Sequence, residues 1–180
     1  MKILSSGAKV HSVVEIYKGK AFRLHKERVT LPNGVQAYMD VIRHPGAAAV
    51  VPFLDRETLV LLRQYRHALG RFLYEIPAGT LIPGEDPLEC ARRELNEETG
   101  YQATRWTKLG EVVPVPGYSD ERIHLFLAEG LVEGQGQPDP DEVLEVVELS
   151  LSAVLEMMQR GDLEDGKTLL GLLWALGRRS

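Results

Sequence analysis

The chain has 180 residues, 44% of them hydrophobic and 26% charged, an ordinary globular composition that suits one core and is short for two independent ones. Its 26 acidic and 21 basic side chains leave a net charge of −5, and no run of Lys and Arg is dense enough to make a nucleic-acid backbone the main partner. Cys90 is the sole cysteine, which excludes an intrachain disulfide and fits a reducing, cytoplasmic setting. The longest apolar stretch, Leu169 to Leu176, is broken by Gly171 and too short to cross a bilayer, so neither export nor membrane insertion is expected.

From Val10 to about Gln64 the pattern predicts short strands: Val13 to Tyr17, Ala21 to Leu31, a Pro32-Asn33-Gly34 turn, then Val35 to Ile42. This is the grammar of hairpins. Ala47 to Leu54 and Leu59 to Leu62 are nearly continuous apolar runs, which suits central strands covered on both faces, with Asp55-Arg56-Glu57 turning between them. Asp86 to Thr99 is the clearest helix, with Asp86 as N-cap, Pro87 at the first helical position, Glu89 closing a capping box and Gly100 as the stop. Strands are expected again over Trp106 to Val113, Arg122 to Leu127 and Val143 to Leu149, separated by loops Pro114 to Asp120 and Glu133 to Asp141. Helices over Ser152 to Gln159 and Lys167 to Leu176 finish the chain. Strands and helices mix without regular βαβ alternation, which gives an α+β class, or α/β/α layering around a mixed sheet.

The chemistry concentrates between Gly79 and Tyr101. Glu94, Glu97 and Glu98 stand at i, i+3 and i+4, so a helix brings their carboxylates to one side, where they repel unless cations sit between them. Leu88, Ala91 and Leu95 form the neighbouring core-facing stripe, which fixes the rotation of the helix and aims the acids at a cleft. Arg93, four residues before Glu97, can orient or neutralise that acid. An all-oxygen cluster of this kind suits hard cations such as Mg²⁺, which keep waters and phosphate oxygens as their remaining ligands. A solvated glutamate-rich face is the ordinary explanation of an E-x-x-E-E string standing alone, but here Gly79, Glu85, Arg93 and Gly100 accompany it at set spacings.

The pattern Gly79-x5-Glu85-x7-Arg93-Glu94-Leu95-x-Glu97-Glu98-x-Gly100-Tyr101 resembles the signature of the Nudix hydrolases at every defined position. That resemblance implies a mixed sheet sandwiched between helices, an N-terminal β-hairpin extension over residues 1–43 that serves dimerisation, and a Nudix domain over 44–180. It also implies that Glu94, Glu97, Glu98, Glu142 and the Ala78 carbonyl hold the metal, Mg²⁺ or Mn²⁺, with Glu85 in support. Arg93, Glu97, Glu98 and Glu142 form the expected catalytic set. The flanks Arg63-Gln64-Tyr65-Arg66, Glu75-Ile76-Pro77-Ala78-Gly79 and Pro116-Gly117-Tyr118-Ser119-Asp120-Glu121 look like the ADP-ribose pyrophosphatase branch, as does Pro116, sixteen residues after Gly100.

From that branch come further expectations: Arg66 on the diphosphate, Glu121 on the terminal ribose, and Phe22 (with Tyr17 the other aromatic of the hairpin) on the adenine across a homodimer. The branch often has a glutamate two residues before the position of Glu142 to activate water, where this chain has Pro140; Asp139, Asp141 or Glu142 itself is left for that task. The implied reaction is Mg²⁺-dependent hydrolysis of ADP-ribose to AMP and ribose 5-phosphate. Other nucleotide-sugars such as GDP-mannose, dinucleoside polyphosphates and damaged nucleoside triphosphates are rival substrates. A non-catalytic nucleotide-sensing module is the rival from another class.

Overall fold

The computed structural model describes residues 7–137, 140 and 142–179. The chain forms two compact units, one running to Pro45 and including Val115–Arg122, the other made of Gly46–Pro114 and the chain from Ile123 onward.

In the first unit, β1 (Lys9–Lys18), β2 (Arg23–Thr30) and β3 (Gln36–Arg43) form an antiparallel sheet in the order β1-β2-β3, the three strands expected there. The β2–β3 turn follows its sequence: Gly34 takes φ 88°, and the Asn33 side chain accepts a bond from the Val35 N–H at 3.0 Å. The Val115–Arg122 segment is tied to β3 by backbone bonds from Ile42 to Tyr118 and from Asp120 to Ile42. The Asp120 side chain adds bonds from the His44 N–H and the Arg43 guanidinium, both at 2.9 Å.

The second unit is built on a mixed seven-stranded sheet. Its main path runs β10 (Leu144–Ser150), β5 (Thr58–Arg66), β4 (Ala47–Phe53), β9 (Ile123–Glu133) and β8 (Tyr101–Val112), while β6 (Arg71–Glu75) pairs with β5 and β7 (Ala78–Thr80) with β4. Only β4 and β9 pair in parallel among these contacts; the rest are antiparallel. All seven residues of β4 are buried, which is what a run with no polar alternation predicts for a central strand.

Alternation along β4 divides the core in two. Ala47, Ala49, Val51 and Phe53 face the cluster that takes in Val154 of α2 (Leu151–Arg160) and Leu172 and Ala175 of α3 (Gly166–Arg179). Ala48 and Val50 face Cys90, Ala91 and Leu95 of α1 (Pro87–Thr99). The result is the α/β/α sandwich expected from the sequence, with α1 on one face and α2 and α3 on the other.

The ends of α1 are set by local chemistry. The Asp86 carboxylate accepts from the N–H groups of Leu88 and Glu89, Pro87 opens the first turn, and Gly100 at φ 73° closes the last with its N–H on the Asn96 carbonyl. The capping box is half made, because the Glu89 carboxylate pairs with Arg92 at 2.6 Å.

Several boundaries differ from the sequence expectation. The strand expected from Trp106 begins at Tyr101, directly after the helix stop, and the strand expected to end at Leu127 continues to Glu133. Their outer halves, interrupted by polar residues and Gly130, pair with each other, Tyr101 opposite Glu133 and Ala103 opposite Leu131, so tertiary pairing supplies what hydrophobic periodicity does not. β6 and β7 have no counterpart in the sequence reading, being five and three residues long.

Asp86→Ala should remove the α1 cap and cost about 1 kcal/mol of stability, read as a lower urea midpoint at unchanged slope.

Candidate active site

The site is assembled where β7 runs against α1. Glu98 is 3% exposed and one of its carboxylate oxygens accepts the Ala78 N–H at 2.9 Å. Glu94 packs over Gly79 so closely that any Cβ at that position would overlap its carboxylate, which is why glycine opens the signature. The Cys90 thiol lies 3.7 Å from the Gly79 carbonyl; it is fully buried and pushed up to about 12, first by that burial, so it takes no part as a nucleophile.

Arg93 organises the exposed edge of the same helix. Its Nε and Nη2 meet the Glu85 carboxylate at 3.0 and 3.2 Å, and its Nη1 meets Glu94 at 2.6 Å and Glu97 at 3.0 Å. These bonds, that to Glu85 foremost, raise the Arg93 pKa, and the Glu85 carboxyl is lowered in turn by Arg93. Glu85 also accepts the Ile82 N–H at 2.9 Å, which anchors the loop before α1.

The three acids of the motif therefore have three different environments. Glu97 is turned to Arg93 and is 41% exposed at the side chain, Glu94 is shared between Arg93 and the Gly79 cradle, and Glu98 is sunk against Ala78. Among the described residues no three Asp, Glu, His or Cys side chains stand grouped as a ready metal cage.

The donor chemistry nevertheless fits a hard cation. Burial raises the pKa of both Glu94 and Glu98, and Glu142 raises both further across space, so Glu142 belongs to the same field of negative charge. For Glu98 the value reaches about 8, through burial first and then through Glu94, with Ala78 and Lys167 opposing. Oxygen donors that suppress one another's ionisation are the set a divalent cation relieves.

A second cluster adjoins the first. Arg66, at the end of β5, clasps Glu75 of β6 through Nε and Nη2, both at 2.7 Å. Burial alone would raise the Glu75 carboxyl, but bonds from Arg66 and Lys167 outweigh it and hold it below the usual range. Glu75 was legible only as part of the Glu75-Ile76-Pro77-Ala78-Gly79 flank, and Lys167, Asp165 and Thr168 carried no signal beyond the start of a helix.

The other expected site residues lie in the first unit. Glu121 has its carboxylate 3.8 Å from His44 Nδ1 and its N–H on the Ser119 hydroxyl. Phe22 is 39% exposed, its ring 6.0 Å from that of Tyr17. Of the candidates for the water-activating base, Asp139 and Asp141 lie outside the described residues, while Pro140 is exposed and Glu142 half-buried.

Residues 43–170 match the NUDIX domain model. The chain is 41% identical over 156 residues to the ADP-ribose pyrophosphatase of Bacillus subtilis (strain 168), covering 86% of this chain and 84% of that one. It is 38% identical over 160 residues to the methanol dehydrogenase activator of Bacillus methanolicus, covering 88% and 86%. A solved ADP compounds hydrolase shares the fold with a TM-score of 0.85 and 22% identity, over 98% of this chain and 96% of that one. The chain belongs to the Nudix family, as its signature indicated.

Glu98 gives a stability prediction. Its folded pKa of about 8 lies above the ordinary carboxyl value of 4.5, so folding takes up a proton. The associated stability is complete below about pH 4.5 and is lost as pH rises through about 8. In chelator, Tm should fall by several degrees between pH 5 and pH 8.5 and be restored at the upper end by millimolar divalent cation; a Tm independent of pH across that window would show that Glu98 ionises freely in the fold.

Proposed function

We propose that this protein is a divalent-cation-dependent pyrophosphohydrolase of nucleoside-diphosphate compounds, with ADP-ribose as substrate, AMP and ribose 5-phosphate as products and Mg²⁺ as the metal. The observation that carries the reading is the juxtaposition, within one unit, of a field of three carboxylates, Glu94, Glu98 and Glu142, and the Arg66 guanidinium, whose charge interacts with Glu98. Mg²⁺ would be held by Glu94, Glu98, Glu142 and the Ala78 carbonyl, with Glu97 sharing. It would supply charge neutralisation of the diphosphate oxygens and a lower pKa for water.

The chain's own residues do the rest. A diphosphate ester resists attack because its anionic oxygens repel the incoming oxygen, and water must approach one phosphorus in line with the bond to the other phosphate. Arg66 spends Nε and Nη2 on Glu75, which leaves the Nη1 edge to donate to a phosphate oxygen. Arg93 is saturated by Glu85, Glu94 and Glu97, so its task is to hold the acids in register. A carboxylate must take the proton of the attacking water, and we assign that to Glu142, with Asp139 and Asp141 as the neighbouring alternatives to the glutamate replaced by Pro140.

In the first unit we assign Glu121 to the vicinal hydroxyls of the terminal ribose and Phe22 to the adenine. We also assign β1 to β3 to a homodimer interface, a reading favoured by the exposure of Val10, Val13, Val14 and Ile16 along β1. Among the described residues no helix is long and apolar enough to cross a membrane. With a lone, buried cysteine, the cytoplasm is the compartment we propose.

The test is a panel of ADP-ribose, GDP-mannose, a dinucleoside polyphosphate and nucleoside triphosphates, assayed with and without Mg²⁺ and with products identified by mass. AMP and ribose 5-phosphate released from ADP-ribose only with metal is the expected result. Absence of turnover on every compound would leave a nucleotide-sensing module instead. Glu98→Gln should lower kcat by about two to four orders of magnitude with secondary structure intact, because it removes a metal-holding charge; near-native turnover by this variant under saturating Mg²⁺ would refute the site.

A further inference from the structure

The proposed function leaves unused a buried ionic chain behind Arg66. Glu75 is 2% exposed and receives both the Arg66 guanidinium and the Lys167 ammonium. Lys167, in the first turn of α3, has 11% of its side chain exposed and also meets Asp165 at 3.0 Å. Asp165 in turn accepts from the Thr168 N–H at 3.0 Å and its hydroxyl at 2.5 Å, and the Thr168 oxygen accepts the Ile76 N–H at 2.9 Å. The chain therefore closes on itself: it leaves β6 at Glu75 and returns one residue later at Ile76.

Two consequences follow from this geometry. Arg66, Glu75, Lys167 and Asp165 alternate in sign and sum to zero, so removing any one of them alone leaves a net charge in the chain. A carboxylate gripped by one cation alone could swing with it; gripped by a second, on a different element 92 residues away, it becomes a fixed post. The plane of the Arg66 guanidinium is then set by Lys167, and so is the direction in which its Nη1 edge faces. Lys167 also adds its positive charge to the field at Glu98.

We propose that Lys167 is a positioning residue for diphosphate binding, acting through Glu75 to hold Arg66 in its phosphate-facing orientation. The proposal rests on the assignment of Arg66 to the diphosphate made above. An interaction of this kind is made equally with bound substrate and with the transition state, so its loss raises KM and spares kcat.

The experiment is a double-mutant cycle on ADP-ribose hydrolysis with Mg²⁺. Lys167→Met should raise KM about tenfold or more while kcat changes less than about threefold, and Lys167→Arg should recover most of the loss. In an Arg66→Ala background, where there is no guanidinium left to position, Lys167→Met should change KM by less than about twofold. Ser150→Ala, which weakens the α2 cap, serves as a control that loses stability without raising KM.

If Lys167→Met does not fold, Asp165→Asn/Lys167→Met removes one charge of each sign and takes its place. A KM within twofold of wild type in the Lys167 variant, or a KM effect that multiplies in full with Arg66→Ala, would overturn the proposal. Calorimetric binding of the non-hydrolysable α,β-methylene ADP-ribose separates the two readings: wild type that binds the analogue but turns over no compound of the substrate panel refutes the enzyme, while a Kd raised about tenfold by Lys167→Met still supports the positioning role and an unchanged Kd overturns it. Wild type that binds none of it overturns both.

Discussion

A carboxylate taken out of water must find donors, or a proton, or a cation, and Glu98 is the group on which that choice falls hardest. The backbone donor it has among the described residues, the Ala78 N–H, does not offset burial beside Glu94 and in the field of Glu142. The rest of the site follows from the need to hold such a group in place. The α1 stripe of Ala91 and Leu95 packs against β4 and fixes the helix rotation, β7 pairs with β4 and carries Ala78 and Gly79 to the carboxylates, and Arg93 neutralises what the helix exposes. The arrangement is unfavourable without a cation by construction, and a site selected for stability alone would have an apolar residue in place of Glu98.

Much of this was legible in the chain itself. The N-cap and C-cap residues of α1, the buried character of β4 and the helix rotation that buries Glu94 and Glu98 follow from rules that operate within a few residues, and the structure agrees with them, while Glu97 stays at the exposed edge on Arg93. The signature spacing led to the family because its defined positions from Gly79 to Tyr101 encode a loop-helix-loop whose chemistry is local. The misses share a cause. β7 is three residues of Ala, Gly and Thr with no periodicity, the outer halves of β8 and β9 are interrupted by polar residues and Gly130, and all three exist because a partner strand distant in sequence stabilises them. The capping box failed for a local reason: Glu89 had a second option in Arg92, three residues on.

The two arginines show why a residue type does not by itself reveal a role. Arg93 has all three of its guanidinium nitrogens engaged by protein acceptors, so it has little left for a ligand and acts on the acids. Among the described residues Arg66 is held along one edge only, and its side chain is 40% exposed. The sequence places Arg93 beside Glu97 through helical spacing, and Arg66 on a diphosphate only through resemblance. The count of nitrogens occupied among the described residues gives the physical basis for that division, between the arginine that sets the acids in register and the one with an edge left to donate.

Charge balance ties these parts to the substrate. A chain of net charge −5 would repel a diphosphate at long range, and three carboxylates in one field would deepen that repulsion. The buried Arg66-Glu75-Lys167-Asp165 chain adds no net charge, yet its alternation places a cation at the exposed end, where a neutral assembly presents a positive face. The proposed anion recognition would therefore depend on the ordering of charges and not on their sum, and a divalent cation among Glu94, Glu98 and Glu142 would complete that ordering from the other side.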